Sequence, residues 1–135
     1  MAFVHGKETV VKVDANDLSA YVNTSEFTRG ADEHDVTTYG KDDGVYQGGI
    51  RRHQFVMSGV YDSTAGTGPR GVLGGAEGTS MAIIRQPEGT GSGLPQDSFN
   101  GLLTSYVETN PVADMIAWSA TFRVSGPVTD TAQSA

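Results

Sequence analysis

The segment Met115–Ser125, MIAWSATFRVS, alternates without a break. Ile116, Trp118, Ala120, Phe122 and Val124 fall on one side; Ala117, Ser119, Thr121, Arg123 and Ser125 fall on the other. Strand side chains point to opposite faces with period two, so this stretch is a half-buried β-strand whose apolar face needs a core to cover it. Trp118 is read as an anchor of that core, because an aromatic ring on the apolar face of a strand is buried more often than it serves as a ligand platform.

Comparable strand signals recur at TVVKV (Thr9–Val13), AYVNTSEFTR (Ala20–Arg29), HQFVMSGVYD (His53–Asp62), SMAIIRQ (Ser80–Gln86) and DSFNGLLTSYVE (Asp97–Glu108). Each is bounded by Gly, Asn, Asp or Pro, and TNPVAD turns the last two strands into a hairpin. The 18 glycines among 135 residues accompany Thr, Ser and Val rather than Ala, Leu, Glu and Lys, which favours turns and strands over helices. The reading is a mainly β chain forming one domain over residues 1–135, a barrel or sandwich. Its expected core contains Phe55, Met57, Ile83, Ile116, Trp118 and Phe122.

Two intervals depart from strand patterning. After Asp62, STAGTGPRGVLGGAEG offers Ser63 or Thr64 as a cap, Pro69 as a first helical residue and Gly75 or Gly78 as a stop, predicting one short helix over about 67–75. Between Arg29 and His53 runs RGADEHDVTTYGKDDGVYQGGIRRH, too polar for a core. Asp43-Gly44 can reverse it, predicting a long hairpin-like arm over about 30–52. Residues 128–135 are expected to form a flexible tail.

Motifs that could carry chemistry fail on context. GTGPRG, Gly66–Gly71, spells G-x-G-x-x-G, but it follows an alternating strand and opens at most two helical turns, and Pro69 removes an amide donor that phosphate binding needs. GTGSGLP lacks the Gly-Lys-Ser/Thr ending of a phosphate loop and is expected to be a flexible connection. Glu33-His34-Asp35 places His34 opposite its neighbours in an extended chain, so the three do not converge on a metal. DANDLS, Asp14–Ser19, starts like a calcium loop, but Leu18 stands at its fifth position; an Asx-type turn at Asp17 is the better reading. No Gly-x-Ser-x-Gly elbow is present to support a nucleophilic serine. The expectation is a protein without catalytic residues, cofactor or metal.

The chain has no cysteine, which removes disulfides and thiol ligands and agrees with an intracellular origin. No signal-like or membrane-length apolar run occurs, so a soluble, unprocessed chain without membrane contact is expected. A net charge of −7 disfavours gripping phosphate backbones or anionic lipid.

Four stretches in order carry a resemblance. They are DVTTYGKDDGVYQGG followed by VMSGVYDST, then GPRGVL, then VETNPVADMIAWSATFRVSGPV. The chain from about Leu18 to Val128 resembles the tail tube (major tail) proteins of long-tailed, siphovirus-like bacteriophages. The ending is the most specific part: Pro111, Val112, Asp114, Ser119, Phe122, Ser125 and Gly126 match the hairpin pattern with which that family commonly finishes. The resemblance implies a small β-sandwich or barrel of two packed antiparallel sheets with one flanking helix. It also implies a structural homo-oligomer, with hexameric rings stacked head to tail into a tube in the virion tail, assembled in the host cytoplasm.

In such an assembly the arm is expected to order on contact and carry inter-ring contacts through Asp35, Thr37, Tyr39, Asp42, Asp43 and Tyr46. Other tail proteins would meet the tube ends. The acidic balance fits a conduit through which double-stranded DNA passes without sticking, and Asp42, Asp43, Glu77, Glu88 and Asp97 are candidate lumen carboxylates. Two other readings stay open on sequence: a capsid decoration or cement protein, and a ligand-binding or hydrolytic β-barrel with GTGSGLP as a lid over His53 and Asp62.

Overall fold

In a computed structural model of the chain, which describes residues 6–14, 16–62 and 68–133, seven strands form one antiparallel sheet. They are β1 (Val10–Val13), β2 (Asn16–Asp17), β3 (Val22–Asp35), β4 (Tyr46–Val60), β5 (Ser80–Gln86), β6 (Pro95–Thr109) and β7 (Ala117–Ala132). A single helix, α1 (Pro69–Leu73), precedes β5. The order across the sheet is β2-β1-β5-β6-β7-β4-β3.

That order forces curvature. β2 and β3 lie at opposite edges, yet only Leu18 and the 3-10 turn Ser19–Tyr21 separate them in the chain. A linker this short spans at most roughly 18 Å, whereas the edges of a flat seven-stranded sheet lie about 29 Å apart. The sheet therefore rolls until its two halves face each other. The two packed layers anticipated for this mainly β fold are halves of one continuous hydrogen-bonded sheet. Local irregularities assist the roll: the β6–β7 ladder shifts register between Ser98 and Asn100 and again between Leu103 and Ser105.

The core lies between the halves. Phe55, Met57, Ile83, Leu103, Trp118 and Phe122 are all fully or almost fully buried. Phe27 on edge strand β3 stacks on Phe99 of β6 with ring centroids 4.9 Å apart, although β7 and β4 intervene in the sheet order. The Trp118 indole N–H donates to the Tyr21 carbonyl at 3.2 Å, satisfying its polar edge inside the core. α1 starts at Pro69 behind Gly68 and buries Pro69 and Leu73, so it plugs the rolled sheet. Ser63 and Thr64, expected as caps, lie outside the described residues.

Two expectations are corrected. Ile116 shares the parity of Trp118 but is 37% exposed, because it precedes β7 and lies past the ladders with β4 and β6, which end at Ala117. The expected tail is strand instead: Thr129, Asp130, Thr131 and Ala132 pair with Ser98, Asp97, Gln96 and Pro95. Beyond them Gln133 is buried, its side chain donating to the Gly89 carbonyl at 2.7 Å and accepting from the Gly91 N–H at 3.1 Å. The Gly-rich connection between β5 and β6, expected to be flexible, is thus stapled from the far end of the chain.

Candidate assembly surfaces

The arm is the outer half of the β3–β4 hairpin. Its ladder continues to Asp35 opposite Tyr46, although all but Asp32 of residues 30–52 are exposed. The arm is a paired β-hairpin rather than an irregular loop. Arg52 and Asp32 pair across it at 3.1 Å. At the tip, the Val36 N–H donates to the Val45 carbonyl at 2.9 Å, and the Thr37 hydroxyl accepts from the Val45 N–H at 2.8 Å. The Thr37 N–H donates to Asp35 at 2.9 Å and holds that carboxyl below its ordinary range. The chain reverses through Gly40, whose φ of +86° is readily adopted only by glycine, and not at Asp43-Gly44 as expected. A two-residue primed turn needs positive φ at its first central position or at both, and neither Asp43 nor Gly44 has it; the wider loop is closed by side chains instead. Tyr39 stands clear of the tip at 105% exposure, with Thr37, Asp42, Asp43 and Tyr46 also exposed.

The candidate lumen carboxylates lie on different elements. Asp42 and Asp43 are on the arm tip, Glu77 follows α1 and Glu88 is half-buried in the β5–β6 turn. Asp97 is corrected: it is 8% exposed, and it accepts from Arg85 at 2.6 Å and from Arg29 at 3.1 Å. Register explains this, since Asp97 lies opposite Arg85 on β5 and opposite Asp130 on β7, while the rolled sheet brings Arg29 across from β3. Arg29 also donates to Asp130 at 2.9 Å and lies 5.0 Å from the Phe27 ring centre. Nothing in the sequence signals this cluster, because its members lie up to 101 residues apart.

Burial, followed by the hydrogen bond with Asp130, pushes the Asp97 carboxyl up, while the Arg29 guanidinium, followed by Asp97, holds Asp130 well below the usual carboxylate range. The sign for Asp130 follows from linkage. Its depressed pKa contributes stability above the unfolded value of about 3.9, which is lost as pH falls through the lower folded pKa. Asp130→Asn is expected to lower Tm at neutral pH and to flatten the decline of Tm below about pH 4 relative to the parent. Parallel acid limbs in thermal melts across pH would contradict this.

Residues weighed for chemistry are not assembled. His53 packs edge-on against Phe27 with centroids 6.3 Å apart, and its Nδ1 is buried without a hydrogen-bond partner among the described residues. Asp62 lies past the other end of β4, roughly 23 Å or more along the strand, so the pair does not line one pocket. Glu33, His34 and Asp35 lie in sequence on β3, and no group of three metal-capable side chains converges among the described residues. Asp17 accepts from the Ser19 N–H at 2.9 Å, an Asx turn. Of GTGPRG, Gly66 and Thr67 lie outside the described residues; Gly68 caps α1 and Pro69 opens it.

No family model and no curated protein matches the sequence. Solved structures do match across nearly its whole length. A chain from the tail of an empty gene transfer agent particle, determined with C6 symmetry, superposes with a TM-score of 0.74 at 17% identity, covering 96% of this chain and 100% of that one. The SPP1 tail tube gives a TM-score of 0.78 at 11% identity, over 98% of this chain and 81% of that one. A chain of the PVC sheath-tube complex, an extracellular contractile injection system in its extended state, gives 0.66 at 12% identity, over 97% and 93%. The chain thus has the tail-tube fold, an antiparallel β domain seen in tailed particles and injection systems.

Proposed function

We propose that this protein is a structural, non-enzymatic tail tube subunit. Copies close into hexameric rings, and the rings stack head to tail into the tube of a virion tail, assembled in the host cytoplasm, through which double-stranded DNA passes. Supporting this reading is the pairing of a tail-tube fold with a β-hairpin arm, nearly all of it exposed. A hairpin that adds little to its own core is held in shape by its ladder and presents exposed side chains to another copy. The acidic net charge of −7 suits a conduit that must not hold DNA.

Purified protein is expected to form stacked rings in negative stain, and mass spectrometry of separated heads and tails is expected to find it in tails. A persistent monomer, or location on heads, would refute the proposal. A sharper variant exploits the register. Because the Val36 N–H already bonds the Val45 carbonyl, replacing Thr37–Gly44 by Asn-Gly joins these two residues through a two-residue hairpin turn. This variant is expected to keep the parent circular dichroism spectrum and a Tm within a few degrees, and to form no tubes. Normal tubes from it would remove the arm tip from assembly.

A further inference from the structure

The large hydrophobic side chains exposed among the described residues fall into two groups at opposite ends of β4. One group is on the arm: Val36, Tyr39, Val45, Tyr46 and Ile50. The other is at the far pole, where β4 and β6 end and β7 begins: Val60, Val107, Val112, Met115 and Ile116. Register places these last residues together, since Val60 and Thr109 both pair with Ala117, and the Tyr61 N–H donates to the Ile116 carbonyl at 2.9 Å. Tyr46 and Val60 are separated by the full length of β4, roughly 45 Å.

Scattered exposed apolar residues are ordinary, but segregation into two distant patches is not. Two different patches at opposite poles of one chain cannot satisfy each other within that chain. They can do so between copies related by translation along β4, which is a heterologous contact and propagates. Both ends carry charges of both signs. The arm tip carries Lys41, Asp42 and Asp43, while the pole carries exposed Arg70, held by the Tyr61 hydroxyl at 3.1 Å and Glu108 at 3.3 Å, together with Asp114.

We infer that the pole formed by Val60, Val107 and the Asn110–Ile116 connection is the docking surface for the arm of a second copy of this chain. The inference rests on the tube reading and adds to it the surface that receives the arm. Val112, 107% exposed, and Met115 insert against Tyr39 and Tyr46, and Arg70 meets the Asp42-Asp43 carboxylates.

The absence of cysteine allows a direct test. Tyr39→Cys and Val112→Cys are introduced together, tubes are formed, and a short bis-maleimide is added. A ladder of covalent multimers is expected on a denaturing gel. The two single variants mixed before assembly should stop at covalent dimers, and either alone should give none. Tyr46→Cys with Met115→Cys provides a second pair. Val112→Asp, at a fully exposed position, is expected to leave the thermal melt unchanged and raise the concentration needed for assembly by about tenfold or more. Intact tubes with no ladder from either pair, or with dimers from one single variant alone, would overturn the docking surface and leave the tube reading standing. Absence of any stacked assembly from the unaltered chain would overturn the tube reading itself.

Discussion

Gly59→Ala is expected to lower the urea midpoint and Tm sharply, by about 3 kcal/mol or more and roughly 10 °C, without changing any exposed surface. Gly59 sits in β4 opposite Val22 of β3 on one side and Trp118 of β7 on the other. A Cβ there would overlap the carbonyl group of Tyr21 and press on Val22. These are backbone atoms, so no rotamer change relieves the overlap. They also belong to the short turn through which the chain crosses from one sheet edge to the other, the step that obliges the sheet to roll. Moving that turn aside would break the Trp118 bond to the Tyr21 carbonyl as well. Chemical denaturation with the slope held in common measures the effect. A loss below about 1 kcal/mol would mean the crossing is looser than the geometry requires.

Trp118→Ala is the second large effect, expected at about 3–5 kcal/mol. The indole is 1% exposed, lies against Tyr106 at 6.2 Å between ring centroids and fills the space under the Ser19–Tyr21 turn. Truncation removes both the apolar contact and the donor to a carbonyl with few alternatives. Trp118→Phe separates these terms, keeping most of the packing while leaving the Tyr21 carbonyl without that donor, at about 1–3 kcal/mol. Ile116→Ala provides the contrast. It has the same strand parity as Trp118 but lies at the exposed pole, so a change within about 0.5 kcal/mol is expected. Equal losses at Ile116 and Trp118 would mean that alternation alone, rather than cover by facing strands, sets burial.

Strands were legible where both faces of the chain have different solvents. Ser80–Gln86 is recognisable from its residues alone, and β6 and β7 from aromatic and β-branched content with a turn between them. The arm was legible as a polar interval between strands, but not its reversal at Gly40, which depends on Thr37 meeting Val45 across the loop. The end of β7 was not legible at all. TDTA looks like a solvated tail, and only the ladder with Pro95–Ser98 makes it strand. Among the site residues, exposure of Tyr39 and Tyr46 follows from the polarity of their surroundings. The engagement of Asp97 does not, because a carboxylate between Gln96 and Ser98 has no local feature to distinguish it from a free surface charge.

The sequence by itself determined a mainly β chain with one short helix and a polar hairpin arm, because alternation, turn residues and capping act over a few neighbouring residues. Tertiary structure alone decided the strand order, the roll of one sheet on itself, the Arg29–Asp97–Asp130 cluster and the two exposed apolar poles. Those depend on which strands pair and in what register, and such pairing is settled by contacts between residues far apart in the chain, where a shift of one position would exchange every buried side chain for an exposed one.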